Sequence, residues 1–268
     1  MRCLLIRTGL LALLFGAVAC GQPGSSQRDA SQSTDAPAVV RLAVASNFQA
    51  PMQNIVAHLE ETSGMSLVVS YGASGKFYAQ IRQGAPFDVF LSADQDKPQR
   101  LVQQGLALAD SRFTYATGAL ALWSADPALV DDSAAVLATD RFSRLALANP
   151  RFAPYGVAAE AVLRGMGLVD STRSRWVTGE NIAQTFQFVH SGNADLGFIA
   201  RSQLPMVSGG STWLVPAHLH PPIQQDAVLL SRATDNASAR QFLAALQSPP
   251  VQQIIEQFGY LPPAANTP

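Results

Sequence analysis

From Val39 onward, short apolar runs alternate with segments whose apolar residues recur at helical spacing. "VVRLAVA" (39–45), "SLVVSY" (66–71) and "DVFLSA" (88–93) read as buried strands. "LALAN" (145–149), "RWVTG" (175–179), "DLGFIA" (195–200) and "AVLLS" (227–231) repeat the pattern. Between them, 52–61, 76–83, 98–104, 157–166 and 182–189 read as helices, with Pro51 tolerated in the first turn of one. "SARQFLAALQS" and "VQQIIEQFG" add two helices near the end. The alternation predicts an α/β fold with mostly parallel sheets.

The first 38 residues break this pattern. Arg2 and Arg7 precede an apolar stretch from Leu10 to Val18, and small residues lead to Cys20. That is the layout of a secretory signal peptide over 1–20, too short for a comfortable membrane span. Its end, "AVAC", resembles the bacterial lipobox, which makes Cys20 the candidate lipidation site, although Ala17 stands where that pattern usually has Leu. Residues 21–38 are polar, rich in Ser, Gln, Gly and Pro and free of aromatics, and read as a flexible tether.

Composition narrows the chemistry. The chain has 268 residues, enough for two modest domains or one large one, and its 48% apolar content allows a sizeable core. Cys3 and Cys20 are its only cysteines, so the folded part holds no disulfide, no cysteine metal site and no cysteine nucleophile. Without residues 1–19, 16 basic residues face 19 acidic ones, a formal charge of −3 with no basic run. Nucleic acid is excluded as a partner, since phosphate neutralisation needs a basic stripe.

Parallel α/β sheets bind ligands where strands end and helices begin. Those turns hold Ser46 and Asn47, Ser74 in "YGASGK", Tyr155 in "PRFAPYG", and the helix opening at Ile182. "YGASGK" is not a nucleotide phosphate loop: Ser70 stands where its first glycine belongs, and Phe77 replaces the magnesium-binding hydroxyl. Gly72 and Gly75 are read as letting the backbone bend close to a ligand. Ser74, from this turn alone, reads first as a helix cap. Lys76 reads as an exposed helix residue away from the ligand.

Other chemistries find little support. Gly72 and Gly75 have the wrong spacing for a serine nucleophile turn, and His58, His190, His218 and His220 show no acid partner. "HLH" (218–220) reads as surface loop rather than a metal pair. The pairs Glu60–Glu61, Asp94–Asp96 and Asp131–Asp132 read as solvated faces or caps. Glu180, at a strand end, is expected to point away from any anion.

"ASNF" (45–48), "YGASGKFYAQIRQGAPFDVFLSAD" (71–94), "FTYATGALALWS" (113–124), "LALANPRFAPYGVAAEAVLRGMGL" (145–168), "GENIAQTFQFVHSGNADLGFIA" (179–200) and "PIQQDAVLL" (222–230) come in one order over nearly all of 40–260. In these stretches the sequence resembles the periplasmic molybdate-binding proteins of bacterial ABC transporters. The resemblance implies a type II periplasmic binding protein, with two α/β lobes of mostly parallel strands joined by a hinge of two crossings. Lobe one would be 39–117 plus 222–262, lobe two 118–221, with crossings near 113–124 and 222–230.

It implies capture of molybdate or tungstate, a tetrahedral oxyanion, for an ABC permease. Ser46, Asn47, Ser74, Tyr155 and Ile182 would bind it, Ile182 through its backbone N–H. Ser46, Ser74, Tyr155 and Ile182 would touch the metal oxyanion through its oxygens. Ala73 stands where the family has a further serine, which removes one hydroxyl. No cofactor and no catalysis are implied. The expected protein is a periplasmic monomer, tied to a membrane only through a lipid on Cys20. The rival readings are the same fold binding sulfate or another oxyanion, and a secreted hydrolase.

Overall fold

A computed structural model describes residues 38–262. The signal segment, Cys20 and the tether up to residue 37 lie outside the described residues. Ten strands occur among those described: β1 Val40–Ala45, β2 Leu67–Gly72, β3 Val89–Leu91, β4 Phe113–Gly118, β5 Leu120–Ser124, β6 Leu145–Ala148, β7 Trp176–Gly179, β8 Leu196–Ala200, β9 Ser211–Leu214 and β10 Ile223–Leu229. The α-helices are α1 Gln49–Ser63, α2 Ser74–Arg82, α3 Asp96–Gln103, α4 Pro154–Gly165, α5 Val169–Thr172, α6 Ile182–His190, α7 Ala237–Leu246 and α8 Pro249–Gln257.

The strands form two five-stranded sheets, ordered β2-β1-β3-β10-β4 and β7-β6-β8-β5-β9. β1 pairs in parallel with β2 and β3, and β6 with β7 and β8. β10 completes the first sheet, antiparallel to β3 and β4, and β5 completes the second, antiparallel to β8 and β9. These two antiparallel strands follow the chain's passages between sheets, between Gly118 and Leu120 and between Leu214 and Ile223.

Each sheet carries its own core. In β1, Val40, Leu42, Ala43 and Val44 are fully buried, as a central strand covered on both faces requires. Phe48, Met52, Ile55 and Leu59 recur every three or four residues and bury one face of α1 with this sheet. In the second sheet, Leu145, Leu147, Phe198 and Leu120 pack with Ala158, Ala159, Val162 and Leu163 of α4.

β4, β5 and β9 were not legible from periodicity. "FTYATGALALWS" holds two strands that belong to different sheets, separated only by Ala119. α4 begins at Pro154, ahead of the predicted 157, because a proline at the first helical position lacks only an N–H that has no acceptor there.

Candidate functional site

Four strands end at one place. β1 runs into a single 3₁₀ turn, Ser46–Phe48, that continues as α1; β2 leads to α2, β6 to α4 and β7 to α6. The residues after these ends, Ser46 and Asn47, Ser74, Tyr155, and Asn181 with Ile182, line one cavity of about 10 Å³. All its lining residues are uncharged. The structure thus brings together all five predicted site residues, each at least 95% buried.

The helix starts are unusual in what caps them. Ala45, Ala73 and Ala153 hold the cap positions of the Ser46 turn, α2 and α4, and no side chain bonds the first turn of any of the three. Alanine is among the poorest cap residues because it offers no acceptor. The first N–H groups of a helix have no acceptor inside it. Ser74 and Ile182 are first residues and Tyr155 is a second residue, so their N–H groups are donors facing a buried cavity. Together with the partial positive charge of the helix starts, they favour an anion. Of the four helix starts at the cavity, that of α6 alone has a side-chain cap, Asn181, whose Oδ1 accepts from Gln184 N at 3.0 Å.

Ser74 is therefore not a cap; it stands one residue inside α2. Its Oγ accepts from the Ala93 N–H at 2.9 Å. Ser46 Oγ accepts from the Ala183 N–H at 3.4 Å. A hydroxyl that accepts from a protein N–H keeps its own hydrogen to donate. Both serines are thereby set as donors.

Asn47 and Tyr155 contribute differently. The Asn47 side-chain amide donates to Gln225 Oε1 at 2.9 Å and to the Tyr260 hydroxyl at 2.8 Å, so its NH₂ is committed inside the protein. The Tyr155 hydroxyl accepts from Gln225 Nε2 at 3.4 Å and lies against Gly118, where any Cβ would overlap it. Neither Gln225 nor Gly118 lines the cavity. What Tyr155 presents to the cavity is its backbone N–H. Burial pushes the Tyr115 and Tyr155 phenols well above their usual pKa, and Tyr260 up to about 12. All three remain neutral near pH 7.

Gly75 serves a different purpose from the one predicted. Its N–H donates to the Phe152 carbonyl at 2.8 Å, and a Cβ there would sit 2.9 Å from the Phe152 Cα. The missing side chain admits the facing turn, not the ligand. Lys76 and Glu180 form an ion pair at 2.7 Å with side chains 40% and 66% exposed, and neither lines the cavity. His220 Nδ1 pairs with the Pro221 carbonyl at 2.8 Å. Among the described residues, no three His, Cys, Asp or Glu side chains group as a metal site, and no helix is long and apolar enough to cross a membrane.

Pattern reading missed the alanine caps, the Ala93 and Ala183 N–H groups that orient the serines, and Gln225. The caps were visible as Ala before Ser46, Ser74 and Pro154. The other partners come from distant parts of the chain and left no local signal.

Two α/β sheets whose strand ends close over a small, neutral, donor-lined cavity define a type II periplasmic binding protein. The family described as bacterial extracellular solute-binding protein matches residues 40–261, and the chain belongs to it. It is 48% identical over 226 residues to the molybdate-binding protein ModA of Azotobacter vinelandii, covering 83% of this chain and 90% of that one. It is 47% identical over 219 residues to ModA of Rhodobacter capsulatus, covering 82% and 86%. A solved structure of the Azotobacter vinelandii periplasmic molybdate-binding protein superposes with a TM-score of 0.81 at 40% identity, covering 84% of this chain and all of that one. The chain is a solute-binding protein and not an enzyme.

Proposed function

We propose that this protein is the substrate-binding component of an ABC importer, capturing molybdate or tungstate and delivering it to the permease. The observation that carries the reading is a buried, uncharged cavity set among four helix starts, three of them capped by alanine. Such a site holds a small dianion by hydrogen bonds and helix dipoles. The Ser46 and Ser74 hydroxyls donate to the oxyanion, and the backbone N–H groups of Asn47, Tyr155 and Ile182 complete the shell. Phosphate at neutral pH carries a proton that needs an acceptor, so donors at every position disfavour it. The 48% identity to a molybdate-binding protein supports the same ligand here.

The lobes are 39–117 with 222–262, and 118–221. Anion contacts from both favour the closed state, which the permease reads. The protein works as a monomer in the periplasm, held to a membrane by lipid on Cys20.

Elemental analysis tests the ligand. Protein equilibrated with molybdate and then desalted should retain about one molybdenum per chain, the occupancy of a single cleft site; no retained molybdenum contradicts the reading. Cys20→Ala should move the protein from the membrane to the soluble fraction, and an unchanged distribution contradicts the anchor.

A further inference from the structure

Gln225 lies in β10, fully buried, outside the cavity. Its Oε1 takes two donors, Asn47 Nδ2 at 2.9 Å and the Tyr115 hydroxyl at 2.9 Å. That fixes the amide orientation, so Nε2 must face the Tyr155 hydroxyl, 3.4 Å away. Asn47 follows the first sheet's β1, and Tyr155 belongs to α4, which packs on the second sheet. One side-chain amide therefore ties the two halves of the cavity wall together.

The surroundings leave it no alternative partner outside this cluster. Tyr260 accepts from Asn47 Nδ2 at 2.8 Å and donates to the Asn47 carbonyl at 2.8 Å, and Ser202 donates to the same carbonyl at 2.8 Å. Phe48 packs edge-on to Tyr115 and Tyr260, with ring centroids 4.9 and 5.3 Å away. Low dielectric strengthens each of these bonds and makes an unpaired member costly.

Resting on the oxyanion reading above, we propose that Gln225 is a positioning residue of the anion site. It holds the Tyr155 turn against the Asn47 turn in the closed state, and so slows ligand release. The bond from Gln225 to Tyr155 breaks when the two halves separate, whereas those to Asn47 and Tyr115 stay within the first. The effect therefore falls on dissociation, with association governed by the open form.

Molybdate release from the full-length protein tests this, with Gln225→Met, Tyr155→Phe and the double variant compared with wild type. Each single variant should release molybdate about tenfold faster or more with little change in association rate, the usual division of an interface defect. The double variant should release no faster than the more impaired single one, because both remove one bond. In Gln225→Glu at pH 5, where the protonated acid can still donate to the Tyr155 hydroxyl, release should be slower than in Gln225→Met. A residue needed only for folding gives neither the non-additivity nor the rescue by Gln225→Glu. Unchanged release, or additive effects in the double variant, overturns the proposal. If Gln225→Met does not fold, unchanged release in Tyr155→Phe overturns it alone. Wild-type protein that binds no molybdate overturns the functional reading and the proposal with it.

Discussion

The backbone N–H of Gly75 donates to the carbonyl of Phe152 at 2.8 Å, joining the first turn of α2 to the turn before α4. The approach is close enough that only a residue without a side chain permits it, since a Cβ would lie 2.9 Å from the Phe152 Cα.

Gly75→Ala should weaken anion binding by about 1–3 kcal/mol through overpacking of the closed form. Gly75 has ordinary helical backbone, and alanine favours a helix by about 1 kcal/mol. The ligand-free variant should therefore melt at the same temperature as wild type or higher. Paired calorimetric melts and titrations check both halves; a stability loss without an affinity loss contradicts the closure role.

Ser46→Ala and Ser74→Ala should each reduce affinity by about 1–3 kcal/mol, the loss of a hydrogen bond to a charged group. The Ala93 N–H also loses its acceptor in Ser74→Ala, at 2.9 Å against 3.4 Å for the Ala183 bond to Ser46. Ser74→Ala should thus cost more stability than Ser46→Ala. Equal wild-type affinity in both variants would falsify the placement of the site.

The Lys76–Glu180 pair joins α2 to the turn before α6 and is solvent-exposed. Lys76→Met should change affinity by less than about 1 kcal/mol at physiological salt. Titrations at low and high salt should show that small difference shrinking as ions screen it. A loss as large as that of the serine variants would mean that the charge itself binds the anion.

How far the sequence reveals this site depends on how local its chemistry is. Ser46, Asn47, Ser74, Tyr155 and Ile182 could be singled out because each lies between a strand end and the first turn of the following helix, where such folds bind ligands. The use of each group was less readable. Ser74 as donor rather than cap depends on Ala93, and the Tyr155 hydroxyl's engagement depends on Gln225, 70 residues away. β4 and β5 were hidden because Ala119 alone separates them, and no local signal marks the change from one sheet to the other. Gly75 was recognised as a close-approach position, but its neighbour, Phe152, could be identified only in three dimensions.

The tyrosine cluster sets an alkaline limit. Burial raises Tyr260 from 10.0 to about 12, so the folded state holds its proton where the unfolded chain has begun to lose it. A raised folded pKa gives stability that is complete below about pH 10 and lost as pH rises toward 12. The loss should be on the order of 3 kcal/mol for this group. Urea unfolding from pH 8 to 12 should show it, and Tyr260→Phe should flatten the curve in that window. A wild-type curve with no decline would contradict the burial of these phenols.

Calorimetric titration of the purified protein with molybdate, tungstate, sulfate and phosphate tests the central claim most directly. Molybdate and tungstate should bind tightly at one site per chain, with phosphate giving no heat and sulfate far less affinity. Tight sulfate binding with no heat from molybdate or tungstate would contradict it.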